Sequence, residues 1–424
     1  MERVIIPFEG KPLSFRLNED NLAEVLSPHR TPPIVDREAA VDEALANPLD
    51  QKPLGEWIRP SDKVLFLSDD HTRLTPADTL LPPLIKGINE AGVPDGRISI
   101  LMALGTHRPM TEREMMHKVG PEIFRRIRVF NHDWKDLSQL EDMGTSRNGT
   151  PLHVNRAVLE ADVVIGLGAI VPHHIPGFSG SSKIVQPGIC GAVTTAETHL
   201  LSTRAEESLL GLEDTPVRRD MDDMADRVGM RTILNVVLNC EGSPVGIFFG
   251  EMRSAFARGV ELAKVVYGVP YRETPDIIIA NSYPCDIDFW QSHKALYPAM
   301  RMVKPSGTII IVTPSPEGVS RVHTELLHFT SRSSEEIEDA YRKREIKSGV
   351  ATALAVAWAR VRERNSIIMV SPGISRENTA KLGFTHAEDI ESALKEAFRR
   401  QGPHARVSIL THAPDMLPIR AFGV

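Results

Sequence analysis

Residues 163–199 read VVIGLGAIVPHHIPGFSGSSKIVQPGICGAVTTAETH, and the fold is decided there. The opening run, residues 163–170, is apolar throughout and has the length of a strand buried on both faces in a parallel sheet. Directly after it come the adjacent His173 and His174, a Gly/Ser loop carrying Lys183, the Pro187-Gly188 turn and His199. Imidazoles, an amine and a candidate metal ligand thus gather beyond the carboxyl end of a strand. Open α/β sheets place their sites at such ends.

The same grammar recurs on both sides of this stretch. Residues 1–17 alternate apolar and polar side chains around Glu9-Gly10-Lys11, which predicts a hairpin on an edge. A helix is expected over 36–47, with Asp36 at its start. Residues 63–67 predict a buried strand that runs into Asp69-Asp70-His71-Thr72-Arg73, and Thr75-Pro76 then opens a helix. A strand over 97–103 ends in Gly105-Thr106-His107-Arg108, after which Thr111 caps a helix with Glu112 and Glu114 in its first turn. Further strands are expected over 126–130 and 232–238, and an amphipathic helix over Met252–Tyr267.

Strands alternating with helices imply an α/β fold with mainly parallel, doubly wound sheets. At 424 residues the chain exceeds one ordinary core, so two α/β domains are expected, 1–271 and 272–424, with the site in the cleft between them. In the second, strands are expected over 276–280, 307–312 and 366–370, and helices over 335–347 and 387–400. A fourth chemistry-bearing cluster, residues 283–294 with Gln291 and Lys294, follows the first of these strands. The glycines of 242–250, set around apolar residues, suit a tight loop, to which no chemistry is assigned.

Composition narrows the function classes. A net charge of −7 argues against nucleic-acid binding. Cys190, Cys240 and Cys285 are too scattered for a disulfide framework or a thiolate zinc site, which suits a reducing compartment. No run approaches the roughly 18 apolar residues of a membrane helix. The amino-terminal segment reads as a strand and not as a signal peptide, so a cytoplasmic location is expected.

Each group has a plain reading beside the chemical one. His107 could cap a helix or act as general acid/base near neutral pH. Of His173 and His174, adjacency allows at most one into a given cleft, leaving the other structural. Lys183 lies in a Gly/Ser loop, but Ile184 follows it, so the phosphate-binding P-loop spacing fails. Such a lysine is either a solvated charge or a covalent attachment point. His199 lacks helical i, i+4 spacing to His173, which removes the zinc-protease reading. Asp70 and Arg73 form a local ion pair, or Arg73 grips a carboxylate or phosphate. Gln291 and Lys294 share a helical face, whether solvated or binding. Neither a GxSxG elbow nor a GxGxxG after the first strand is present.

Together the clusters resemble the nickel-dependent lactate racemase family over nearly the whole chain. The family's Asp-x-Thr-Arg signature stands as Asp70 to Arg73, and its Gly-x-His-Arg signature as Gly105 to Arg108. Its long histidine, Gly-Phe-Ser-Gly, lysine, Pro-Gly, histidine signature stands as His173 to His199, and its Gln-x-x-Lys pair as Gln291 and Lys294. The resemblance implies a nickel-pincer nucleotide, a sulfur-bearing pyridinium mononucleotide (pyridinium-3,5-bisthiocarboxylic acid mononucleotide) joined to Lys183 through a thioamide. In that family two sulfurs and a ring carbon hold Ni(2+), and His199 would be the fourth ligand, a donor set suited to square-planar nickel. It implies His107 and His173 as alternating acid and base while hydride leaves and returns to C2 of a 2-hydroxy acid. Arg73, Gln291 and Lys294 would hold the substrate carboxylate, Arg73 would also serve the cofactor side, Asp70 would orient that side or a histidine, and cofactor-biosynthesis enzymes would be partners.

This chain departs from the family pattern in two places. Ser181 stands where the family often has a second glycine before the lysine loop closes. The tryptophan that borders substrate in lactate racemases is displaced here to Trp358, with Ala353 in its place, which points to a larger 2-hydroxy acid or a sugar acid. The rival readings are a lyase or dehydratase using the same histidines, and a non-catalytic nickel- or nucleotide-binding protein.

Overall fold

A computed structural model describes residues 2–205 and 208–421; Met1, where the expected hairpin begins, lies outside them. Two six-stranded sheets dominate it, with helices on their faces. The first sheet runs Pro244–Glu251, Met230–Leu238, Val163–Ala169, Val64–Asp69, Ile98–Ala103, Arg128–Asn131. Numbered along the chain this is 6-5-4-1-2-3, the doubly wound order, and every neighbour pair is parallel except the outermost. The order reverses between Val64–Asp69 and Val163–Ala169, so a crevice opens beyond their carboxyl ends.

The second sheet runs Thr385–Ala387, Ser366–Val370, Thr308–Val312, Ile277–Asn281, Val407–Leu410, Leu22–Leu26, all parallel. Its own reversal lies between Ile277–Asn281 and Val407–Leu410. The strands Ile277–Asn281 and Thr308–Val312 are buried at every residue, as a central parallel strand covered on both faces must be. Helices Gly349–Arg364 and Leu296–Met302 cover one face. The hairpin Glu2–Phe8/Lys11–Leu17 and helix Ile390–Gln401 cover the other.

Two expectations change. Residues 244–251 form an antiparallel edge strand and not a tight loop. Its glycines serve packing: a Cβ at Gly250 would lie 2.2 Å from the Leu49 carbonyl oxygen, and one at Gly246 would lie 2.4 Å from Leu262. The topology also cuts across the division at 271/272. Leu22–Leu26 pairs with Val407–Leu410, and Gly268–Tyr271 pairs with Leu417–Arg420. A strand joins the sheet whose edge it can extend, wherever it falls in the chain. The expected hairpin is present, with Phe8 opposite Lys11, and packs on the second sheet.

The two units meet through helices. Helix Gly349–Arg364 lies on helix Ala192–Thr203 of the first unit, so closely that a Cβ at Gly349 would come within 2.7 Å of Ala196. Among the described residues no helix is long and apolar enough to cross a membrane.

Candidate active site

The two reversal points face one cavity of about 1540 Å³, its open mouth included. All the residues singled out from sequence line it: Asp70, Arg73, His107, His173, Lys183, His199, Gln291 and Lys294.

Asp70 follows the strand Val64–Asp69. Its Oδ1 accepts from the Thr72 N–H (2.9 Å) and hydroxyl (2.6 Å), which folds the turn that carries Arg73. Its Oδ2 lies 2.5 Å from His107 Nδ1. Burial raises the Asp70 carboxyl, but His107, Arg73 and Thr72 outweigh it and hold the group well below the carboxylate range. The neighbouring Asp69 is spent on structure, taking Lys118 Nζ at 2.8 Å and the Thr75 hydroxyl at 2.5 Å. The Arg73 guanidinium has no hydrogen bond or ion pair among the described residues. It is available to an anion.

His107 follows the strand Ile98–Ala103 through Gly105, whose φ of 55° lets its N–H reach the Gly188 carbonyl at 2.8 Å. With Nδ1 facing a carboxylate, the neutral ring carries its proton there and leaves Nε2 as acceptor. Gln291 agrees: its Nε2 donates to His107 Nε2 at 3.1 Å, while Lys294 Nζ donates to the Gln291 carbonyl. Asp288 caps this short helix by accepting from the Gln291 N–H at 2.9 Å. Burial, with Arg73 beside it, draws the Lys294 ammonium down to about 8.

His173 sits on a small ribbon, Pro172–His173 paired with Gly177–Phe178. Its Nδ1 accepts the Ile175 N–H at 3.2 Å, so Nε2 carries the proton of the neutral ring. Burial, reinforced by Lys183, His174 and Lys294, pulls its pKa well down. His174 has the structural part expected of it, stacked 4.8 Å from His173 and 3.8 Å from Tyr297, but it also borders the cavity and its buried Nε2 has no partner.

Lys183 occupies a 3-10 turn, Ser181–Ile184. Burial and the cations Arg73, Lys294 and Arg218 push its ammonium well below the usual lysine range. An uncharged amine is a nucleophile. His199, on helix Ala192–Thr203, directs Nδ1 to the Thr195 carbonyl at 2.5 Å, and burial draws its pKa to about 4. A neutral imidazole with Nδ1–H tied to a carbonyl offers Nε2 to a metal. Among the described residues no three His, Cys, Asp or Glu side chains are grouped to hold a metal ion. A metal at His199 would therefore need its other ligands from a bound group.

Sequence reasoning missed three cavity residues and misplaced one wall. Asn235 lies inside the strand Met230–Leu238, where no local pattern marks it. Asp415, pushed up to about 7 by burial, lies in the 3-10 turn Ala413–Asp415 beyond the strand Val407–Leu410, a strand not predicted from the sequence. His293 faces the cavity and holds the Tyr297 hydroxyl at 3.0 Å through Nδ1. From helix Gly349–Arg364, Val350 and Leu354 line the cavity. Ala353 and Trp358 are both buried away from it, with Trp358 packed on Phe289 and His293. Position 353 is turned about 100° from Leu354, whereas Trp358 shares the Val350/Leu354 stripe but stands one turn further along the helix than the last residue that lines the cavity.

Comparison with known proteins gives the same outline. The family model of the lactate racemase N-terminal domain matches residues 8–211, and that of the lactate racemase C-terminal domain matches 271–415. A lactate racemase of Lactiplantibacillus plantarum is 27% identical, covering 99% of each chain. One from Thermoanaerobacterium thermosaccharolyticum is 28% identical over 94% of each. The solved lactate racemase apoprotein of the latter organism superposes with a TM-score of 0.88 at 25% identity, covering 99% of this chain and 100% of that one. A Thermotoga maritima protein shares the fold, with a TM-score of 0.72 at 21% identity over 91% of this chain and 98% of its own.

Proposed function

The chain belongs to the lactate racemase family, and on that footing we propose that it is a racemase or epimerase inverting C2 of a 2-hydroxy acid with a nickel-pincer nucleotide held at Lys183. The observation that carries the reading is the pair His107 and His173, which border one cavity in complementary hydrogen-bonding states. An inversion needs a proton acceptor and a proton donor exchanging roles.

The donor set fits the cofactor. Lys183 supplies an uncharged amine, and His199 supplies one ring nitrogen where no further protein ligands are grouped. When bound, the nickel-bearing pyridinium group supplies a hydride acceptor for C2, which spares the enzyme from deprotonating an unactivated C–H.

The remaining work falls to the chain's own residues. Arg73, free of other partners among the described residues, and Lys294 with Gln291 grip the substrate carboxylate. His107 takes the 2-hydroxyl proton at Nε2, the nitrogen Gln291 now faces, and Asp70 across Nδ1 stabilises the imidazolium that forms. His173, entering as imidazolium, gives its Nε2 proton to the oxygen and is left neutral while His107 keeps the proton it took, and the opposite enantiomer runs the same steps with the two rings exchanged. Such positioned proton transfers contribute about 10²–10⁴-fold each. Closure of the two units over the cavity keeps water from the keto acid.

The decisive experiment is intact-mass and nickel analysis of protein produced alongside cofactor-synthesis enzymes, followed by chiral analysis on lactate and bulkier 2-hydroxy acids. A mass adduct that vanishes in Lys183→Ala, nickel near one per chain, and inversion of at least one acid are expected. Protein without adduct or nickel under those conditions would sink the proposal.

A further inference from the structure

The loop carrying Lys183 is held in a strained shape, and one buried guanidinium holds it. Gly180 (φ 81°) and Ser181 (φ 53°) both lie in the left-handed region. For the serine, which has a Cβ, this is a strained conformation. The Ser181 N–H is pinned to Asn235 Oδ1 at 2.7 Å, and a Cβ at position 180 would come within 2.8 Å of that oxygen.

Arg218, in the first turn of helix Pro216–Arg227, reaches under this loop and is 3% exposed. Its Nη1 donates to the Gly180 carbonyl (3.3 Å) and the Ser182 hydroxyl (2.9 Å), and its Nη2 to the Phe178 carbonyl. Ser182 passes the contact on, its hydroxyl donating to Asp222 Oδ1 at 2.5 Å, one turn further along the same helix. On its other side the guanidinium stacks over Phe256, 4.4 Å from the ring centre. Burial lowers its pKa to about 10, with Asp222 opposing. Enclosing a cation whose ligands are mostly carbonyls is expensive. A loop needing only to be fixed could use neutral groups.

We infer that Arg218 is a positioning residue for Lys183: by tying Phe178, Gly180 and Ser182 to one guanidinium, it holds the strained turn that presents the lysine amine to the cavity. The cation also faces Lys183 in company with Arg73 and Lys294, against Asp70, and the rings of His173 and His199 are close enough to feel the charge on Lys183 itself. Geometry and charge act together, since a turn that relaxed toward water would rehydrate the ammonium. The inference rests on Lys183 being the attachment point, and its test is independent of any nucleotide.

The full-length chain without cofactor is labelled with acetic anhydride between about pH 6 and 10, and peptide mass spectrometry compares Lys183 with exposed Lys395. Wild-type Lys183 is expected to label with a midpoint well below that of Lys395. Arg218→Met should move that midpoint up by a unit or more, slowing Lys183 at pH 7 by about tenfold relative to Lys395 while thermal unfolding stays cooperative. Arg218→Lys, which keeps the charge, should recover part of the loss, and Ser182→Ala should fall between. An unchanged Lys183 profile in folded Arg218→Met overturns the inference. Should that variant fail to fold, unchanged profiles in both Arg218→Lys and Ser182→Ala overturn it equally. Absence of an adduct in co-production would count against the attachment and leave this result standing.

Discussion

His107 and His173, the pair proposed for proton transfer, stand in opposite environments. His107 stands at the end of a central strand with a carboxylate 2.5 Å from Nδ1, and charge arising on its ring meets Asp70 at once. His173 stands on a two-residue ribbon, its Nδ1 occupied by a backbone N–H at 3.2 Å, with Lys183, His174 and Lys294 as its charged or ionisable surroundings. Protonating it breaks that bond and places a further positive charge near Lys294 and Arg73. The two bases are thus unequal before substrate arrives. His107 is set to receive a proton and His173 to release one.

The strongest test removes each in turn. His107→Ala and His173→Ala should both lose racemisation by about 10³-fold or more, with melting temperatures near wild type. Chiral chromatography reads the loss, and retained inversion in either would break the pairing. A smaller effect sharpens the contrast. Asp70→Asn keeps the shape but withdraws the charge facing His107, and should lower kcat by about 10²–10³-fold, with KM less affected. No side-chain substitution is its counterpart at His173, whose partner is the main chain.

The smallest effect concerns stability. His173, His174 and His293 are all held neutral, chiefly by burial, so their folded pKa values lie below the unfolded value of about 6.5. As pH falls through that value the unfolded chain takes protons first, and stability drops by up to about 1.4 kcal/mol per pH unit for each ring. Above about pH 7.5 both states are neutral and the contribution vanishes. The melting temperature should fall between about pH 7.5 and 5.5, and His174→Phe, which keeps the stack on Tyr297, should fall less steeply. Equal slopes would mean that these rings protonate within the fold.

Much of this was legible before any coordinates. The site residues announce themselves because each follows an apolar run too short for a helix, and parallel strands leave chemistry at their carboxyl ends. What hid was non-local. Pairing of Leu22–Leu26 with Val407–Leu410 joins strands from opposite ends of the chain, and no local signal encodes a partner so distant. The glycines of 242–250 suggest turning, whereas close approach to Leu49 and Leu262 is what requires Gly250 and Gly246 in the strand Pro244–Glu251. Arg218 sits in an unremarkable charged helix, Pro216–Arg227, and only the fold reveals that it turns inward. Which residues of helix Gly349–Arg364 reach the cavity was also hidden: Ala353 is turned about 100° from Leu354, and Trp358, in phase with Leu354, stands one turn beyond it.

The unpartnered guanidinium of Arg73 bears on how substrate arrives. The protein as a whole carries a charge of −7 and should repel a hydroxy acid at long range. Beyond a Debye length of about 8 Å that repulsion is screened at physiological ionic strength. Within the cavity Arg73 and Lys294 dominate, and low-dielectric walls concentrate their field. Capture is therefore decided in the last few ångströms, where bulk salt scarcely reaches, and the molecule can stay acidic outside while behaving as an anion trap within.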